Sequence, residues 1–173
     1  MLLDLDLLRI GGSFSVDDLP RMAFVHHGFG STLRSQGQEQ RARFASSYPP
    51  LGLLLLMRLL ENDWENGRLR SAPLMRCFDE TAHENDENFA AAVNDWLAPS
   101  RFAILLVGVY TASLERVSRF LNLFDPARVC RVVGGPHITV APQTVAAHFA
   151  VRGEGGAAVR HIVNTLFTPW FGQ

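Results

Sequence analysis

The apolar positions of this chain fall into short runs separated by polar, glycine-rich or amphipathic stretches. Residues 102–109 (FAILLVGV) are unbroken in their apolarity, which predicts a strand buried on both faces, as central strands of parallel sheets are. Shorter apolar runs at 21–27 (RMAFVHH), 74–78 (LMRCF), 129–133 (VCRVV) and 149–151 (FAV) predict four more strands. Between them the period changes. Tyr48-Pro49-Pro50-Leu51-Gly52 opens LLLLMRLLEN, a helix predicted to close near Asn62, with proline at a helix start, where its missing N–H would be unpaired anyway. Further helices are predicted over 89–97 (stopped by Pro99), 112–124, 142–148 and 157–167. In the second of these, Leu114, Val117, Phe120, Leu121 and Phe124 recur at helical spacing. The alternation of strand and helix predicts an α/β fold with a doubly wound parallel sheet. Right-handed crossovers then bring the C-terminal end of every strand to one edge.

Three regions lie outside this alternation. Residues 1–20, beginning MLLDLDLL, read as an N-terminal extension to an α/β domain over 21–167, and 168–173 read as a C-terminal tail. Residues 28–47 form a long polar loop, a class of segment that is often functional. Residues 79–88 (DETAHENDEN) read as a solvated acidic connector rather than a metal site.

Bulk properties narrow the functional classes. A length of 173 residues suits one domain with a real core. A net charge of −1 gives no electrostatic case for nucleic acid or an anionic membrane. Two cysteines, Cys77 and Cys130, have no metal-ligand spacing, and packed thiols in a cytoplasmic setting are expected. The apolar run 51–60 contains Arg58 and is too short to cross a membrane. The N-terminus lacks the basic start of a secretory signal.

Ligands of open α/β sheets bind at the C-terminal strand edge, where strand order reverses. Four segments are predicted there: 26–50, 110–113, 134–139 and 153–156. The Gly134-Gly135-Pro136-His137 and Gly153-Glu154-Gly155-Gly156 sequences either make turns or give a ligand clearance. Thr111 and Ser113 either cap a helix or contact the ligand. No G-x-G-x-x-G opens the first helix and there is no Walker loop, so a nucleotide-binding enzyme has little direct support.

Taken together, YPPLGLLLLMRLLEN (48–62), YTASLERV (110–117), VVGGPHITVAP (132–142) and VRGEGG (151–156) resemble the cobalamin-binding domain of the cobalamin-dependent radical S-adenosylmethionine enzymes, over about residues 21–167. The resemblance implies a flavodoxin-like five-stranded parallel sheet with a corrinoid over its C-terminal edge and the nucleotide tail in the cleft. By position it implies Tyr110, Thr111 and Ser113 in the tail pocket, Gly134, Gly135, Pro136, His137 and Thr139 as the wall after the fourth strand, and Gly153, Glu154 and Gly155 approaching the tail. Pro50, Leu51 and Gly52 would lie beneath or beside the ring. A Gly135→Trp change is then expected to abolish binding without unfolding the domain.

Ile138 and Gly156 depart from the family pattern, which usually has a small residue and an acidic one there. The sequence has no CxxxCxxC, and two cysteines cannot ligate an iron–sulfur cluster. The radical chemistry is therefore expected from a separate radical S-adenosylmethionine or methyltransferase subunit, with no catalytic residue here. The related D-x-H-x-x-G motif of other cobalamin proteins marks His27 as a candidate axial cobalt ligand. Val25 replaces its aspartate, though, and the resemblance implies cobalamin bound without a protein histidine. An interaction or regulatory module that has lost the cofactor is the alternative. The helix at 51–60 and Trp170-Phe171 leave homodimerisation open.

Overall fold

Alternation along the strands decides how the layers assemble. In β1 (Arg21–His26), Met22 and Phe24 point to one face of the sheet and Ala23 and Val25 to the other; all four are fully buried. In β3 (Ala103–Gly108), Ile104 and Leu106 follow the first pair, and Leu105 and Val107 the second. The computed structural model describes residues 19–27, 50–83, 86–100 and 103–167. The polar loop 28–47, most of the N-terminal extension and the C-terminal tail lie outside the described residues.

With β2 (Leu74–Asp79), β4 (Val129–Gly134) and β5 (Phe149–Ala150), the strands form a five-stranded sheet in the order β2-β1-β3-β4-β5. Every pairing is parallel. Helices α1 (Leu51–Glu65) and α5 (Gly155–Phe167) cover the Met22/Phe24 face. Helices α2 (Asp86–Leu97) and α3 (Leu114–Leu121) cover the Ala23/Val25 face. This is the flavodoxin-like doubly wound arrangement expected from the sequence. The chain leaves β1 toward β2 and returns on the other side as β3, so the switch point lies between β1 and β3. His26 pairs with Gly108, and Gly108 with Gly134, which sets the ends of three strands at one level.

Helices α1 and α5 are held together at two heights. Near the N-terminus of α5, a Cβ on Gly155 would lie 3.3 Å from Leu56 Cδ2, and one on Gly156 3.1 Å from Leu59 Cδ1, so missing side chains let the helices approach. Further down, the buried Asp63 carboxylate accepts from Arg160 Nε and lies 3.5 Å from Arg68 Nη1. No helix among the described residues is long and apolar enough to cross a membrane.

The region after β4 differs from expectation. The predicted helix at 142–148 is a run of turns, and a short helix, α4, instead occupies Pro136–Val140. Pro136 at its first turn is pre-set for helix. His148 is drawn alongside β4: its N–H donates to the Arg131 carbonyl at 2.9 Å, and its Nδ1 accepts from the Arg131 N–H at 2.9 Å. That pairing leads directly into β5 and leaves no length for a helix.

Candidate functional site

A cleft of about 260 Å³ opens at the C-terminal edge, beside the switch point. Leu106, Val132 and Val151 supply its apolar floor, from the ends of β3 and β4 and the residue after β5; Val107 and Val133 also border it, although their side chains pack in the core of the opposite face. Helix α1 forms one wall with Pro50, Gly52, Leu53, Leu55, Leu56 and Leu59. Tyr110, Gly134, Gly135 and Pro136 lie opposite, and Gly153, Glu154, Gly155 and Gly156 border the cleft where α5 begins. No arginine or lysine lines it among the described residues; its ionisable side chains are His26, Tyr110 and Glu154.

The glycines divide into two kinds. A Cβ on Gly52 or Gly108 would meet nothing within 4 Å, so these positions leave real clearance; Gly153 is equally open, but its φ of +67° also favours glycine. Gly135 is a backbone requirement: its φ is +100°, and a Cβ would come within 3.0 Å of the Val109 carbonyl oxygen. Gly135→Trp is therefore no clean test of binding, because any side chain there strains the backbone.

The cleft brings together Pro50, Gly52, Tyr110, Gly134, Gly135, Pro136, Gly153, Glu154 and Gly155 of the residues singled out from sequence. It does not include the others. Leu51 is 68% exposed on the outer side of α1. The buried Ser113 hydroxyl accepts from the Tyr110 N–H at 3.2 Å and donates to the Tyr110 carbonyl at 3.1 Å, which closes the short 3-10 turn at Thr111–Ser113. Thr111 Oγ1 lies 3.0 Å from His137 Nδ1, and His137 Nε2 lies 2.9 Å from Thr144 Oγ1, so the imidazole bridges two loops. Thr139 Oγ1 donates to the Gly135 carbonyl and accepts from the Gly153 N–H, both at 3.0 Å, tying the loop after β4 to the loop after β5. These side chains shape the edge from behind the cleft wall. Ile138 is fully buried in the core on the α2/α3 side.

His27 lies on the other face of the sheet. It is 2% exposed, with its ring edge-on to Phe89 and Phe120 at 5.4 and 4.7 Å, and its Nδ1 is 3.3 Å from Glu80 Oε2. Arg116 donates from α3 to both oxygens of the same carboxylate. Glu80 is thus an exception to the solvated connector read from sequence: it is 3% exposed and belongs to a buried His27–Glu80–Arg116 cluster. Burial pushes its carboxyl pKa up, but the close approach of His27 and the hydrogen bonds and charge of Arg116 outweigh that and bring it from 4.5 to about 2.

Sequence reasoning missed two cleft residues, His26 and Gly108. Burial holds the His26 imidazole below the ordinary histidine pKa, although the nearby Asp79 carboxylate pulls the other way. Gly108 ends β3, inside the apolar run 102–109, a position where a glycine is a signal of close approach. Neither thiol is activated: burial raises Cys77, and raises Cys130 to about 11. Among the described residues no group of three or more His, Cys, Asp and Glu side chains could hold a metal ion.

No family model, curated protein or solved structure compared with this chain matches it.

Proposed function

We propose that this chain is a corrinoid-binding module that holds cobalamin at the C-terminal edge of its sheet for a separate radical S-adenosylmethionine or methyltransferase subunit. The observation that carries the reading is the character of the cleft: apolar in its floor, cleared by Gly52, Gly108 and Gly153, and lined by no cationic side chain among the described residues. A large, flat ligand whose tail ends in an uncharged aromatic base, with its single phosphodiester left toward solvent, needs an apolar slot and a few polar groups. The tail would enter between α1 and the Gly134–Pro136 turn, and the ring would rest over Pro50, Gly52 and the α1 wall. When bound, the corrinoid supplies the cobalt centre, and this chain's residues bind and orient it. With its ring on the opposite face, His27 is not assigned to the metal.

The test is a visible absorption spectrum after incubation with hydroxocobalamin and desalting. A co-eluting corrinoid chromophore is expected, with an unchanged cobalt(II) spectrum in His27→Ala. A folded protein that elutes colourless overturns the reading.

One observation favours the second reading, an interaction module without cofactor. Leu51, Leu54 and Leu55 of α1 are 68%, 42% and 58% exposed, three large apolar side chains within one turn and a half of helix, Leu55 at the cleft wall.

A further inference from the structure

His26 ends β1 on the α1/α5 face, where it contributes to the cleft lining and is 5% exposed. No hydrogen bond to its ring is found among the described residues; Tyr110 stands edge-on to it, with centroids 6.4 Å apart. On the same face Leu106, Gly108 and Val132 line the cleft with it, none of which has a polar side chain. The His26 ring nitrogens are not among the buried side-chain atoms left without a partner, so the ring opens on the cleft, where a group entering it can complete the hydrogen bonding.

We propose that His26 is the specificity residue of the cleft, hydrogen-bonding the ring heteroatom of a flat, uncharged heteroaromatic base seated against the floor. This rests on the corrinoid reading, in which that base is the benzimidazole of the nucleotide tail. A neutral imidazole has one N–H donor and one acceptor nitrogen, so it can pair with a heteroatom of either kind. Burial favours that neutral form. The apolar walls supply area without direction, so His26 provides the orientation that they lack. A site that hydrogen-bonds its ligand rejects an analogue lacking the group far more strongly than an apolar pocket rejects a change of shape.

The experiment compares cobalamin with cobinamide, the same corrin without the nucleotide tail, on wild type, His26→Gln and His26→Leu. Thermal melting of each variant serves as the folding control. Cobalamin affinity is expected to fall about tenfold in His26→Leu and to be largely rescued in His26→Gln, which keeps a donor and an acceptor. Cobinamide affinity is expected to be the same in all three. Free dimethylbenzimidazole, tested at about pH 8, where it is uncharged, should bind wild type and not His26→Leu. If His26→Leu binds cobalamin as wild type does, or weakens both corrinoids equally, the assignment of His26 is overturned while the corrinoid reading stands. If neither corrinoid binds but the free base binds in a His26-dependent manner, the corrinoid reading falls and the assignment stands. Binding of none of the three overturns both.

Discussion

Gly108→Phe is expected to abolish corrinoid retention while leaving the domain folded. Gly108 ends β3 at the switch point, lines the cleft, and has nothing within 4 Å of where a Cβ would stand. A phenyl ring there can rise into the cleft without displacing core atoms, and phenylalanine suits a strand end. The ligand must then give up the floor or push the ring aside, a cost of about 3 kcal/mol, or about 100-fold in affinity. Desalting with hydroxocobalamin reads the loss, and urea denaturation should place stability within about 1 kcal/mol of wild type. Wild-type retention by a folded Gly108→Phe protein would move the site away from this cleft.

Arg116→Leu is expected to have the largest effect on stability. Glu80 is 3% exposed, and its charge is balanced by Arg116 from α3, with His27 Nδ1 3.3 Å away. Removing one partner of a buried pair leaves an uncompensated charge and costs about 3–5 kcal/mol. Replacing Glu80 by Gln in the same chain should recover part of that, because the stranded carboxylate is gone. Acid titration gives an independent reading. The Glu80 pKa is depressed on folding, so its contribution is fully present above its ordinary value of 4.5 and disappears as pH falls to about 2. By linkage that contribution is worth about 3 kcal/mol at neutral pH. Circular dichroism between those pH values should show a steeper loss of stability in wild type than in Glu80→Gln. Parallel curves would mean that the carboxylate does not carry the acid response.

The sheet was legible because burial on both faces leaves a plain mark: the apolar run around Leu105 and Leu106 needs neighbours on every side, and those neighbours are the other apolar runs. The cleft was legible in part, through Gly134–Pro136 and Gly153–Gly155, because glycine and proline carry backbone information locally. What escaped was non-local. Glu80 looks like one more acid in an acidic stretch until Arg116 is brought to it from another helix. His26 and His27 are neighbours whose side chains point to opposite faces, and only the winding of the chain decides which face holds the cleft. Thr139 reads as a ligand contact by position, but its hydroxyl is engaged with two glycine backbones. The misplaced helix after β4 has the same cause, since His148 pairs with Arg131 across the sheet rather than with its neighbours.

The parallel pairing of the strands also has a kinetic consequence. No strand pairs with one that follows it through a tight turn: β1 pairs with β2 and β3, whose residues lie far along the chain. The entropy of closing those long segments is lost before any pairing compensates for it, so the chain belongs among domains whose contacts are distant and whose folding is slow. The longest closure joins β3 to β1, bringing together the strands on either side of the switch point. A ligand held beside that seam binds only the assembled sheet, so by mass action it stabilises the joined state against the separated halves.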